Sequence, residues 1–180
     1  YNKSQTLIID PLIYSTYMGG SEGDYAKSIT LDALGNAYIA GATSSTNYDI
    51  TPGVFQSTYS FGQRDAFMSK LNNTGTTLIF STYLGGAAED VANTIVLDKA
   101  GNTFIAGNTS SNDYCLTPGV FQITNEGIND VFITKLNTSG TALIYSTLLG
   151  GASIDYGLSI AIDSSGNAYI TGATNSNNFD

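Results

Sequence analysis

The side chains able to do chemistry are few, and most of them recur. The chain of 180 residues carries 15 acidic and 6 basic residues, one cysteine and no histidine. Two sets of acids sit in fixed contexts. Asp32, Asp98 and Asp163 each open an Asp-x-x-Gly-Asn sequence, and Asp24, Asp90 and Asp155 each follow shortly after a Gly-Gly pair. Carboxylates in such numbers suggest oxygen ligation of a hard cation, calcium above all, or paired acid and base work on a glycoside. The Asp-x-x-Gly-Asn sequence lacks the alternating acids of an EF-hand loop. An aspartate at this position also bonds the backbone ahead of it and caps a hairpin, which is the expectation for Asp32, Asp98 and Asp163. For Asp24, Asp90 and Asp155 the expectation is that each accepts N–H bonds within its own loop. The alternative for them, if the repeats surround an axis, is a ring of carboxylates that takes a cation or a basic partner. No cofactor is expected, with calcium at either set as the alternative.

Other chemistries lack their parts. Nucleophilic catalysis by serine or cysteine usually recruits a histidine base, and one cysteine without histidine makes no usual zinc site. The acids recur at the same place in every copy of the repeat, which assigns them to the architecture, so no catalytic residue is expected. A net charge of −9 argues against nucleic acid and anionic membranes, and no apolar run reaches the length of a membrane span. The lone Cys115 excludes an internal disulfide and reads as a small buried or loop residue.

What must position these acids is a tandem repeat. Tyr14-Ser-Thr-Tyr-Met-Gly-Gly20 returns as Phe80-Ser-Thr-Tyr-Leu-Gly-Gly86 and as Tyr145-Ser-Thr-Leu-Leu-Gly-Gly151, at spacings of 66 and 65 residues. After each Gly-Gly a β-type run ends at an aspartate: Ser28–Asp32, Thr94–Asp98 and Ser159–Asp163. A Gly-Asn turn follows, then a second strand rich in aromatic and β-branched residues, Ala37–Thr43, Thr103–Thr109 and Ala168–Thr174. A polar stretch of about twenty residues carries Thr-Pro-Gly-Val-Phe-Gln in two copies. Its Val54-Phe55 and Val120-Phe121 are expected to tuck against the sheet, since long unanchored loops are uncommon in compact domains. Asp65–Leu71 and Asp130–Leu136 make a third strand, and Leu78–Leu84 and Leu143–Leu149 a fourth. The Asp65/Lys70 and Asp130/Lys135 pairs have odd spacing, so on a strand they point to opposite faces and are not intrastrand ion pairs.

Four antiparallel strands per unit are too few for a sandwich domain, and there is no sub-period of about 20 residues for a solenoid coil. In Asp130–Leu136 both alternating sets, Phe132 with Leu136 and Val131 with Ile133, hold apolar side chains. Both sheet faces are therefore expected to be buried, as in blades packed face to face. The fold class is all-β, a β-propeller of four-stranded antiparallel blades.

The combination of Gly-Gly-x-x-x-Asp, Ile-x-Leu-Asp-x-x-Gly-Asn-x-Tyr-Ile-x-Gly-x-Thr, Thr-Pro-Gly-Val-Phe-Gln, Asp-x-Phe-x-x-Lys-Leu and Tyr-Ser-Thr-Tyr-Leu-Gly-Gly resembles the bacterial seven-bladed beta-propeller (SBBP) repeat. The likeness covers nearly all of residues 12–180. It implies a propeller in a secreted or surface-exposed bacterial protein, often one module of a larger chain, and no common enzymatic activity.

The expected organisation is a lead-in at 1–11 and a partial propeller at 12–180. The latter comprises a lone outer strand at 12–18, full units at 19–84 and 85–149, and half a unit at 150–180. A ring needs about four to eight blades, so further blades are expected from a longer chain or from other copies. The half unit is expected to be completed by polypeptide outside its own two strands, because a bare hairpin is only marginally stable. The function expected is non-enzymatic: an extracellular or cell-surface module for scaffolding, adhesion or protein interaction, meeting proteins or surface glycans through its loops. The alternatives are a self-assembling subunit of a surface filament or sheath, and part of a carbohydrate-active or lyase-type enzyme whose site lies outside these blades.

Overall fold

The structure is a computed structural model and describes residues 14–179. These residues form ten strands in three antiparallel sheets. The first sheet is β1 (Asp24–Leu31), β2 (Ala37–Thr43), β3 (Asp65–Leu71) and β4 (Leu78–Leu84), hydrogen-bonded in that order. The second repeats it with β5 (Asp90–Leu97), β6 (Thr103–Thr109), β7 (Asp130–Leu136) and β8 (Leu143–Leu149). The third is a hairpin of β9 (Asp155–Ile162) and β10 (Ala168–Thr174). Gly85-Gly86 and Gly150-Gly151 lie where the chain passes from the last strand of one sheet to the first strand of the next, and Gly19-Gly20 stands at the same place before β1.

Turn chemistry sets the hairpins. In β5–β6 the Gly101 N–H donates to the Asp98 carbonyl at 2.9 Å with Gly101 at φ 84°, a left-handed backbone that glycine adopts without penalty. In the β7–β8 turn the Asn137 side chain accepts from the N–H groups of Thr141 at 2.9 Å and Ala142 at 3.3 Å. Between the two hairpins the register is regular, Thr103 opposite Leu136 through to Thr109 opposite Asp130. Each first strand carries a bulge that adds one residue, Lys27, Asn93 or Leu158, against its partner strand.

The sheets pack face to face, as the burial at equivalent positions of the repeat shows. Ile29, Ile95 and Ile160 are equivalent residues of β1, β5 and β9, and they are 64%, 3% and 5% exposed. The last two have a sheet in front of them, while Ile29 faces outward. On the opposite side Tyr38, Phe104 and Tyr169 are 2%, 0% and 59% exposed, because only the first two have a sheet behind them. Covering such side chains stabilises by roughly 1.5–3 kcal/mol each. The core between the first two sheets includes Tyr38, Met68, Phe80 and Leu84 from one and Ile95, Ile105 and Leu136 from the other. The core between the second and third includes Phe104, Ala106 and Ile160.

The chain also stitches neighbouring sheets through its backbone. Asp90 N–H donates to the Arg64 carbonyl at 2.8 Å and Asp155 N–H to the Asn129 carbonyl at 2.7 Å, so the entry to each third strand pairs in parallel with the entry to the next first strand. Phe55 N–H donates to the Gly140 carbonyl at 2.9 Å, which ties the long loop of the first sheet to a turn of the second.

Two sequence expectations need correction. Val54 and Phe55 pack on the core as expected, but Phe121 is 71% exposed. The turn that covers Phe55 belongs to the following sheet, and the β9–β10 hairpin has no such turn among the described residues. The outer strand expected at 12–18 begins outside the described residues, as does the lead-in, and residues 14–18 belong to no strand. The Tyr14 ring nevertheless sits against Gly75, as the Phe80 ring sits against Gly140. Tyr14 therefore occupies, against the first sheet, the place that Phe80 of β4 occupies against the second.

Candidate functional site

The recurring acids fall into three structural settings. At the inner hairpins, one oxygen of Asp32, Asp98 and Asp163 accepts two backbone N–H groups of its own turn. For Asp98 these are Ala100 at 3.0 Å and Asn102 at 2.9 Å, and the other two turns repeat the arrangement. The second oxygen accepts from the Asn36, Asn102 or Asn167 amide. In the two complete sheets it also meets a lysine from the third strand, Lys70 Nζ at 3.4 Å from Asp32 and Lys135 Nζ at 3.0 Å from Asp98. These lysines lie over the rings of Tyr38 and Phe104, at 4.6 and 4.4 Å from the centroids. Burial alone raises the Asp98 carboxyl, but the Asn102 side chain, Lys135 and the Asn102 N–H outweigh it and hold the group below its ordinary value. Lysines and hairpin acids thus pair between strands, consistent with the lack of an intrastrand pair. Lys135→Met is expected to cost about 1 kcal/mol in urea denaturation and to move the Asp98 carboxyl upward in a titration followed by NMR.

At the crossovers, Asp24, Asp90 and Asp155 are the first residues of β1, β5 and β9. Each accepts the second glycine N–H of its Gly-Gly pair, Gly20 at 2.7 Å, Gly86 at 2.8 Å and Gly151 at 2.8 Å. Ser45, Ser111 and Ser176 donate hydroxyl bonds to the same carboxylates, and the Thr43 hydroxyl donates to Asp24. One oxygen of each carboxylate thus serves its own loop, while the other oxygen of Asp90 and of Asp155 is buried without a partner among the described residues. Ser45, Ser111 and Ser176, together with Asn47, Asp113 and Asn178, accept the next N–H groups of the crossover. This second set escaped the sequence reading, although the recurrence of Thr-x-Ser-x-Asn or Thr-x-Ser-x-Asp after each second strand carried the signal.

The third setting was also missed. Asp65 and Asp130, the first residues of β3 and β7, are fully buried. One oxygen of Asp65 accepts Ser60 N–H at 2.8 Å, and one of Asp130 accepts Glu126 N–H at 2.9 Å and the Gln122 amide at 2.6 Å, while the other oxygen of each has no partner among the described residues. A Cβ on Gly85 would lie 2.8 Å from an Asp90 oxygen and 2.9 Å from the Asp65 carboxyl carbon, so two carboxylates meet across this glycine. Burial, reinforced by the Asp90 charge, pushes Asp65 up to about 7 against the Ser60 hydrogen bond. Burial likewise pushes Asp90 up to about 6 despite bonds from Thr109, Gly86 and Ser111. Asp155, with only a half sheet behind it, is held below its ordinary value because bonds from Thr174, Gly151 and Ser176 outweigh burial.

No group of three or more acids, cysteines or histidines among the described residues is arranged to hold a metal. Open clefts of about 510 and 440 Å³ lie between successive inner hairpins, lined by Asp98, Lys135 and Asp163 in one and by Asp32 and Asp98 in the other. Their carboxylates are already committed to turn N–H groups and asparagine amides. Cys115 is half-buried on the long loop, its thiol pushed up to about 12 by burial and by the Asp90 charge, which disfavours the thiolate. The long loops are held by aromatic anchors. Tyr48 packs on Phe67 with centroids 4.5 Å apart and Tyr114 on Phe132 at 4.7 Å, and their hydroxyls meet Ser69 and Thr134. At the loop tip Phe61 is 75% exposed and sits at φ 79°, a left-handed conformation that disfavours any residue but glycine. Phe61→Gly is expected to stabilise the chain by about 0.5–1 kcal/mol in thermal or urea unfolding, with unchanged circular dichroism.

Four-stranded sheets stacked through both faces, linked outer strand to inner strand by a fixed crossover, define a β-propeller repeat protein. The family model described as the beta-propeller repeat (SBBP) matches residues 13–49, 79–114 and 144–180, and the chain belongs to that family. Each match runs from the heptapeptide through the crossover and the first two strands of the following sheet into the residues beyond. Comparison with curated proteins finds no match.

Proposed function

We propose that the chain is a non-enzymatic module of an extracellular or cell-surface protein, acting as a scaffold and interaction element. One observation supports this best: the carboxylates that line the open clefts, Asp32, Asp98 and Asp163, are engaged by turn N–H groups and asparagine amides, and so serve to hold the blades. Recognition then falls to the long loops, where Phe61 is displayed at a backbone cost, with proteins or surface glycans as partners. A surface low in lysine and rich in hydroxyls and acids suits an extracellular setting.

The test is direct. The purified chain, offered panels of polysaccharides and surface proteins, is expected to bind without converting them, and Phe61→Gly is expected to weaken that binding. Turnover of any glycan, abolished by changing an acid of this chain, would overturn the reading.

A further inference from the structure

Two buried carboxylates meet at each crossover that joins one described sheet to the next. At the first, Asp65 of β3 and Asp90 of β5 are both 0% exposed. A Cβ on Gly85 would come within 2.9 Å of the Asp65 carboxyl carbon and 2.8 Å of an Asp90 oxygen, so this glycine leaves a gap between the two groups. At the second, Asp130 of β7 and Asp155 of β9 are again fully buried. Oδ1 of Asp130 stands 2.6 Å from the place a Cβ of Gly150 would take, and is thus aimed into the equivalent gap. In all four residues Oδ1 has no hydrogen-bond partner among the described residues.

The donors of the crossover are already committed. Gly85 N–H donates to the Gln56 side chain at 3.1 Å, Gly86 N–H to Asp90 Oδ2 at 2.8 Å and Ser60 N–H to Asp65 Oδ2 at 2.8 Å. Gly150, Gly151 and Glu126 repeat these bonds to Gln122, Asp155 and Asp130. Counter-charge is missing too. The ion pairs among the described residues join Arg64 to Glu89, Lys70 to Asp32 and Lys135 to Asp98, and none reaches a crossover pair. Two like charges buried together without a cation are strongly unfavourable.

From this geometry we infer that each crossover pair is a calcium site, with one ion between Asp65 and Asp90 and another between Asp130 and Asp155. A divalent cation matches the charge of two carboxylates. Calcium accepts irregular sets of carboxylate and backbone carbonyl oxygens, whereas magnesium demands octahedral geometry and retains waters that a site closed to solvent does not supply. Neither pair contains a hairpin acid, so these sites are separate from the Asp-x-x-Gly-Asn turns. Each takes one acid from the start of a third strand and one from the start of the next first strand, where Asp90 N–H already meets the Arg64 carbonyl and Asp155 N–H the Asn129 carbonyl. The ion therefore fastens successive blades together. A proton shared by the two carboxyl groups is the competing occupant. The inference goes beyond the reading of the chain as an interaction module and does not depend on it.

Calcium titrated into the chelator-treated 180-residue chain at pH 8, followed by calorimetry, tests it. Two ions are expected to bind, and the melting temperature to rise by roughly 5–10 °C. Asp65→Asn and Asp130→Asn each keep an oxygen for the N–H groups they accept and remove one charge. Each is expected to weaken one of the two ions by roughly tenfold or more and to leave the other. Asp98→Asn alters a hairpin acid instead and is expected to leave both ions in place. The stability that Asp65→Asn gains over the wild type in chelator is expected to shrink as calcium is added. No calcium binding, or binding that Asp98→Asn weakens as much as the crossover variants do, would overturn the inference. So would an Asp65→Asn advantage that calcium leaves unchanged, since a proton alone would then serve the pair. None of these outcomes involves a glycan, a protein partner or turnover, so the non-enzymatic reading stands or falls separately.

Discussion

Replacing Asp65 by Asn is expected to stabilise the chain by about 2–4 kcal/mol at pH 8, with most of that gain gone by about pH 4.5. Burial of the carboxylate beside Asp90 raises Asp65 to about 7 in the folded chain, against an ordinary value of 3.8. A raised acid binds its proton in the folded state over a pH range where the unfolded chain has lost it. Its contribution is therefore fully present below the unfolded value and is lost as pH rises through the folded one. At pH 8 the folded chain bears a buried negative charge that asparagine lacks, and at low pH both side chains are neutral. The amide keeps an oxygen for Ser60 N–H. Urea denaturation of both proteins at the two pH values gives the answer, and a gain of equal size at both would show that charge is not its source. The hairpin acids act in the opposite sense. Asp32 and Asp98 are held low, so their contribution is present above the ordinary carboxylate value and lost as pH falls through their folded values. Wild-type stability is accordingly expected to peak between these two windows, on the acid side of neutrality.

Gly107→Ala is expected to cost about 3 kcal/mol or more. A Cβ there would overlap the Val91 carbonyl oxygen of β5, at the bulge where the first strand crowds the second. The obstacle is backbone within the sheet, which cannot move aside as a side-chain tip can. The same clash awaits a Cβ at Gly41 and Gly172, which explains why each copy of the second strand carries glycine at this place. Gly119→Ala is the matched comparison. Its φ is 76° but no atom lies within 4 Å of the new methyl, so only the left-handed backbone is penalised, at about 1 kcal/mol. Equal losses for the two variants in urea denaturation would show that the bulge leaves room that the geometry denies.

The second, third and fourth strands were legible because they are rich in aromatic and β-branched residues between turn signals, and the bounds read for β2, β3, β4, β6, β7, β8 and β10 are those of the structure. The first strands were read from Ser28, Thr94 and Ser159 but begin at Asp24, Asp90 and Asp155. The bulge residues Lys27, Asn93 and Leu158 break the period of two and hide the earlier half of each strand. The turn role of Asp32, Asp98 and Asp163 followed from local sequence, since both partners lie within a few residues. The Lys70 and Lys135 ion pairs did not, because they depend on the register between the second and third strands across a long loop. Asp65 and Asp130 looked like ordinary strand starts. Their burial arises from the neighbouring crossover, and a carboxylate with an unpartnered oxygen leaves no local mark. Phe121 shows the converse limit: its sequence context matches that of Phe55, and only the absence of a covering turn among the described residues separates them.

Two four-stranded units and a hairpin of the same repeat stack in series, and equivalent positions differ in burial according to which faces and edges have a neighbour. Native-state hydrogen exchange at equivalent amides measures this most directly. The amides of β6, covered on both sides, are predicted to be the slowest. Those of β2 should follow, and the outward-pointing amides of β10 should exchange fastest, near the rate of an open edge. Equal protection in β2, β6 and β10, or protection that failed to follow the repeat, would contradict the stacking of blades on which the proposed function rests.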